Sequence, residues 1–299
     1  MIAENVASIL LLVERGDQGH QALSKALLLA RHLHAALDLF LCDTERYPSA
    51  RSGAGQLPPA AARTRVADAG EYLQVLRKSI NAPEVELSSD AVCHVSLRTA
   101  LADKLRRSRV DLVVKAGQAT PAGRDDRDCI DWPLVASCTA PLLLTRGRPW
   151  HPVPRFAAVV DLLDRQGSAL CSAIMALAGT LSRGCAAELE TLFAHPGRQS
   201  EFEAGRQAAA REDFVARAYG GDAQRFRQLP GEPSEVLPRW VAQRDYDLVV
   251  MGKPRHGAPS DASRSVAANV VRATAGDVLF MQPFEEASCL QLRARPPGS

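Results

Sequence analysis

The residues best placed to do chemistry lie in DLVVMGKPRHGAPSDASRSVAANVV, from Asp247 to Val271. The order is a buried strand, a glycine-bearing turn and a helix. In that arrangement the N–H groups of the turn and the helix start can hold a phosphate. Gly252 and Gly257 allow the close backbone approach that such a turn needs. Pro254 and Pro259 stiffen the same turn, and each removes an N–H donor. Lys253, Arg255, His256 and Arg264 place positive charge before the helix, and Ser265 stands at its start. Side chains can therefore hold an anion where the backbone cradle is thin. Upstream, Asp161 closes the apolar run AAVVD, putting a carboxylate at the end of another strand.

Other chemistries find little support. There is no GxSxG elbow for a nucleophilic serine. His94 and Ser96 follow a strand, and His32 and His34 point to different faces of a helix, so no metal-ligand spacing is formed. The seven cysteines are scattered without a CxxC pair, which signals neither a zinc site nor a disulfide framework. With 36 basic against 34 acidic residues the net charge is +2, which gives no electrostatic case for nucleic acid or an anionic membrane. The apolar run Ile9 to Val13 is too short for a signal segment or a membrane span, and a cytoplasmic address is expected. A chain of 299 residues, 46% hydrophobic, can bury a substantial core.

The elements that must position these residues occur twice. VDLVVKAG (Val110 to Gly117) resembles YDLVVMGK (Tyr246 to Lys253), and APLLLTR (Ala140 to Arg146) resembles GDVLFMQ (Gly276 to Gln282), both at an offset of 136. Upstream, Glu14 falls opposite Asp161 at an offset of 147, so the first copy carries the longer insert, within Arg46 to Arg65. Each copy reads β-α-β-insert-β-α-β-α-β. In the first, Ile9–Val13, Leu37–Cys42, Val110–Lys115 and Leu142–Thr145 read as strands, with another inside Glu84–Val95. Ala22–His34 and Leu97–Arg107 read as helices. Short, continuously apolar strands alternating with amphipathic helices predict parallel sheets covered on both faces. TRGRPWHPVPRF, Thr145 to Phe156, reads as an extended linker. Gly197 to Arg227 reads as an inserted helix covering a space between the copies. Residues 1–146 and 155–284 are the expected domains, with 285–299 a flexible tail.

The strand ending in Asp, the DLVVMG strand, the glycine-containing loop, the SVA helix and the VLFMQP strand together resemble the universal stress protein family. Two copies in one chain resemble its tandem members. DLVVKAG followed by DWPLVASCTAPLLLTR resembles the E-type subgroup, in which a lysine follows the fourth strand and an Asp-Trp pair opens the last helix. The resemblance runs to about Gln282. It implies an α/β fold of two tandem doubly wound, mainly parallel five-stranded sheets (adenine-nucleotide alpha-hydrolase-like). It also implies docking as a pseudo-dimer through the last strands, Leu142–Leu144 and Val278–Phe280, which would be aggregation-prone edges if left open.

Members that bind ATP carry Gly, two residues, Gly, nine residues, Gly, then Ser or Thr, with the strand-end Asp against the adenosine. Asp161, Gly252 and Ser265 match that pattern, Ser265 one residue early; Arg255 and Arg264 stand at the other glycine positions, and Gly257 follows nearby. The resemblance thus implies at most an altered nucleotide-like site at Asp161, Gly252, Arg255, Gly257, Arg264 and Ser265. No cofactor is required, and ATP or a related nucleotide is the one left open. In the first copy Glu14 replaces the Asp and Ala116 the first glycine, while Asp125, Asp126, Asp128 and Asp131 repel phosphate, so no ATP is expected there. Asp131 is the expected cap of the next helix, and Trp132 is expected to pack between the copies.

The expected function is a non-enzymatic regulatory or protective role in stress. One alternative is an ATP-binding member with weak or no hydrolysis. Another is a carrier of a hydrophobic or phosphorylated small molecule in a cavity between the copies. A small-molecule ligand is the expected partner, without nucleic acid or a membrane span. The chain is expected to be a monomer, as an intramolecular pseudo-dimer, or a homodimer.

Overall fold

The computed structural model describes residues 6–44, 59–117, 132–162, 168–195, 205, 208–209, 211–216, 225–253 and 266–282. In chain order the first repeat contains β1 (Ser8–Leu12), α1 (Asp17–Leu33), β2 (Ala36–Asp43), α2 (Pro59–Ser79), β3 (Leu87–Cys93), α3 (Leu97–Arg107), β4 (Leu112–Ala116), α4 (Trp132–Ser137) and β5 (Leu142–Thr145). The second contains β6 (Arg155–Val160), α5 (Ser168–Gly184), β7 (Glu188–His195), β8 (Phe226–Pro230), α6 (Pro233–Arg244), β9 (Leu248–Gly252), α7 (Val266–Ala273) and β10 (Asp277–Met281).

All ten strands join one sheet in the order β3-β2-β1-β4-β5-β10-β9-β6-β7-β8. Each half is parallel throughout, and the halves meet where β10 pairs antiparallel with β5, Leu279 opposite Leu143. Chain order reverses between β1 and β4, and again between β6 and β9, so each half has its own switch point. The antiparallel seam places the two switch points on opposite edges of the sheet. Neither seam strand is left as an open apolar edge.

β4, β5 and β10 are buried along their whole length, as continuous apolar runs require in a sheet covered on both sides. On one face, α1, α2, α5 and helical residues 211–216 bury Leu29, Leu73, Leu177 and Phe214. On the other, α3, α4, α6 and α7 bury Leu101, Leu134, Val241 and Val270. Both cores cross the seam, so residues of the two halves share each of them. Trp132 packs edge-on against Phe280 of the other half, with ring centroids 5.9 Å apart, as the sequence suggested.

Three segments differ from the sequence reading. The insert Arg46 to Arg65 runs into a long helix, α2, whose Ala69, Tyr72, Leu73 and Leu76 join the core; its helical stripe begins only beyond the proline-rich stretch. Phe226 belongs not to an inserted helix but to β8, an edge strand whose exposed Arg227 and Gln228 hide its period of two. Phe214 rests on Phe226 at 5.8 Å, so this segment covers the second repeat's own sheet rather than a space between the copies.

The linker is also anchored rather than free. Trp150 Nε1 donates to Asp277 at 2.8 Å, its ring meets Phe156 at 5.0 Å, and Lys25 Nζ sits 4.2 Å above it. Lys25 lies 3.3 Å from Asp277, and both side chains are buried. Burial holds the Lys25 ammonium below its usual pKa and pushes the Asp277 carboxyl up. Further along, Arg148 donates to Asp245 at 2.8 Å, and His151 Nδ1 lies 2.9 Å from Asp247.

Candidate functional site

Ligands of doubly wound sheets sit beyond the carboxyl ends of the strands at the switch point. The two switch points have been filled differently.

In the first half, Lys115 stands near the end of β4, directly opposite Leu12 of β1. Its side chain is buried, and Nζ lies 2.5 Å from Glu14 Oε1, just past the end of β1. The same ammonium donates to Ala116 O at 3.1 Å. The extra methylene of Glu14 gives its carboxylate the reach to cross between the strands. The pair neutralises itself at the place where a ligand's charge would be met. Asp125, Asp126, Asp128 and Asp131 lie outside the described residues.

In the second half, Met251 occupies the position of Lys115 and is 4% exposed, so the cation is replaced by a thioether. Asp161 follows β6 and is exposed to solvent; its backbone carbonyl accepts from Cys171 Sγ at 3.2 Å. Gly252 ends the neighbouring β9. A Cβ there would lie 2.9 Å from Leu170 Cδ2, so its lack of a side chain lets α5 pack close to the strand end. The pliable leucine tip could move aside, which makes this a mild packing demand. Asp161 and Gly252 thus stand at the ends of paired strands. Arg255, Gly257, Arg264 and Ser265, with Pro254, His256 and Pro259, lie outside the described residues. α7 begins at Val266, immediately after Ser265.

Lys253 departs from the sequence reading. Its Nζ donates to the carbonyl of Cys138, in the first half. It also lies 3.5 Å from Gln282 Oε1, and Gln282 Nε2 donates to Thr139 O at 2.9 Å. Burial lowers the pKa of this ammonium. Lys253 therefore ties the two halves together across the seam.

The sequence also hid a paired clamp. Asp111, just before β4, accepts from the N–H groups of Ala7 and Ser8, each at 3.0 Å. Asp247, its repeat partner before β9, accepts from the N–H of Arg155 at 2.8 Å and of His151 at 3.1 Å. The repeated Asp of DLVV was the available signal; it fixes the chain entering β1 and β6. Among the described residues, no group of histidines, cysteines and carboxylates could hold a metal ion. Cys138, Cys171 and Cys185 are buried free thiols, and burial pushes Cys185 up to about 11. No helix among the described residues is long and apolar enough to cross a membrane.

Comparison with known proteins agrees with this architecture. The sequence profile of the universal stress protein family matches residues 186–281. A universal stress protein E homolog of Haemophilus influenzae is 23% identical over 232 residues, spanning 68% of this chain and 72% of that one. A protein of unknown function from Pseudomonas aeruginosa superposes with a TM-score of 0.69 at 24% identity, covering 94% of each chain. A universal stress protein from Archaeoglobus fulgidus superposes with a TM-score of 0.65 at 11% identity, covering 95% of this chain and 98% of its own. These superpositions show the shared fold across both repeats. The profile match thus places residues 186–281 with the universal stress protein family, and the fold of the whole chain, two repeats in a single sheet, is the one shared with these solved structures.

Proposed function

We propose that this protein is a non-catalytic regulator or protective factor in stress, whose nucleotide-like site is at most an altered remnant in the second repeat. The family profile matched by residues 186–281 and the universal stress protein E homolog support the stress-response role, and turnover is not a general property of that family. The observation that carries the finer reading is the fate of the two lysines at the switch points. Lys115 is bound to Glu14, and Lys253 to the carbonyl of Cys138. Both are directed at protein groups, which leaves neither ammonium to meet a phosphate.

The first repeat then serves as a scaffold. In the second, Asp161 and Gly252 support a residual site, to which Arg255, Gly257, Arg264 and Ser265 would contribute. A cytoplasmic, self-contained pseudo-dimer fits this reading. Calorimetric titration of the full chain with ATP tests it. No micromolar binding is expected. Micromolar binding that disappears in Asp161→Ala would replace this proposal with an ATP-responsive protein.

A further inference from the structure

The second repeat opens a cleft of about 290 Å³ at the amino ends of its strands, on the edge of the sheet opposite its switch point. Arg155, Arg225, Arg227 and Arg244 line it, together with Glu188 and Glu190. Arg155 pairs in register with Glu188, and Arg227 with Leu192, so the pleat directs these β6, β7 and β8 residues to one face. The volume lies at the small end of ligand pockets, which run from roughly 300 to 1,000 Å³.

One carboxylate is already satisfied. Arg227 Nε donates to Glu190 Oε1 at 2.6 Å, and the Tyr246 hydroxyl donates to the other oxygen. Trp240 Nε1 in turn donates to Tyr246 Oη at 3.1 Å. This network holds the floor of the cleft. Arg155 lies 5.9 Å from the Tyr246 ring centre, and Arg244 lies 4.2 Å from that of Trp240. Among the described residues, no carboxylate forms an ion pair with Arg155, Arg225 or Arg244. Four guanidinium groups against two carboxylates leave an excess of two positive charges.

The first repeat is an internal control. Strand register and repeat offset place Ser8, Ser88, Asp90 and Ser108 where the four arginines stand. There Lys104, opposite Trp240 in the repeat, binds Asp38 at 2.8 Å and Asp90 at 3.1 Å, an ion-paired cluster with one net negative charge and no excess of cations. The fold therefore has no need of arginines at this edge.

We propose that this cleft binds a small phosphate dianion, free or as the phosphate monoester of a small metabolite, through Arg155, Arg225 and Arg244. Planar guanidinium forks match phosphate oxygens, and a dianion matches the excess charge. Trp240, one of three tryptophans, supplies a local reporter. The full chain is titrated with inorganic phosphate and with glycerol 3-phosphate at constant low ionic strength, following the three indole N–H signals by NMR. Trp240→Phe assigns the reporter.

The expected result is a saturable shift of the Trp240 signal, with a dissociation constant of about 1 mM or tighter. Arg155→Ala with Arg244→Ala weakens it at least tenfold. Arg106→Ala, which removes an exposed arginine elsewhere, leaves it unchanged. If the double variant misfolds by circular dichroism, the exposed Arg225→Ala replaces it, with at least a threefold loss. Tighter binding of glycerol 3-phosphate identifies a monoester as the ligand, and equal binding identifies free phosphate; either supports the site. No saturable shift, a shift that survives the arginine substitutions, or a response at Trp132 or Trp150 without Trp240 overturns it.

Discussion

Lys115 and Met251 hold one position in two repeats and have opposite chemistry there. With the lysine comes Glu14, and the two groups lock the ends of β1 and β4 together. Glu14 is about one-third exposed and Lys115 nearly buried, so the pair lies between a surface bridge and a buried one. Lys115→Met is expected to cost roughly 1–2 kcal/mol in urea unfolding. Adding Glu14→Gln should recover part of that loss, because the stranded carboxylate is then neutral. Asp277 gives a pH prediction. Burial raises its carboxyl above the usual 3.8, so above that pH the unfolded chain has released a proton that the folded chain retains. Its contribution to stability is full below 3.8 and declines as pH rises through the folded value. Asp277→Asn removes that decline, so the stability of the variant should rise more steeply with pH from about 4 upward than that of the parent. Urea midpoints at several pH values measure the two slopes. The strand-end residues Asp161 and Glu14 were legible as residues, but the closure of the first site by Lys115 was not, since 101 residues separate the partners.

Among the elements, β1 and β6 depend on carboxylates contributed from far along the chain. Asp247 receives two backbone N–H bonds and the His151 ring at once. Asp247→Ala should cost roughly 2–3 kcal/mol, since it leaves three part-buried donors without a partner. Asp111→Ala, with two bonds lost nearer the surface, should cost less. Comparing the two unfolding curves tests whether the clamp matters more beside the linker. Gly276 is fixed by the same corner: a Cβ there would stand 2.1 Å from Tyr246 O, too close for any side chain. The strands were readable because parallel, doubly covered strands are uninterrupted apolar runs. β8 was not, because an edge strand meets solvent and its short alternation reads like a helix face.

For the whole molecule, the decisive feature is that the sheet and both cores run through the seam. Two repeats joined by a loose linker would unfold separately. Here Trp150, Lys25, Asp277 and Lys253 join them, and the unfolding is expected to be a single transition, with fluorescence and far-ultraviolet circular dichroism superimposing. Trp150→Ala should lower the unfolding free energy by roughly 2–4 kcal/mol, somewhat below a fully buried tryptophan because the ring is only half-buried. A biphasic curve in the parent protein would show the halves to be independent. The seam also answers the edge-strand problem, since β5 and β10 cover each other.

The sequence by itself determined the repeat, the strand and helix order, the parallel halves and the residues standing at each switch point. These are local properties: apolar runs, helical stripes and turn residues act within a few positions of one another. Only the tertiary structure decided what those residues do. Glu14 meets Lys115, Lys253 crosses to Cys138, and four arginines from β6, β8, the turn before β8 and the end of α6 line one cleft with Tyr246. Charge pairing depends on distance in space, and the order of strands in the sheet sets that distance.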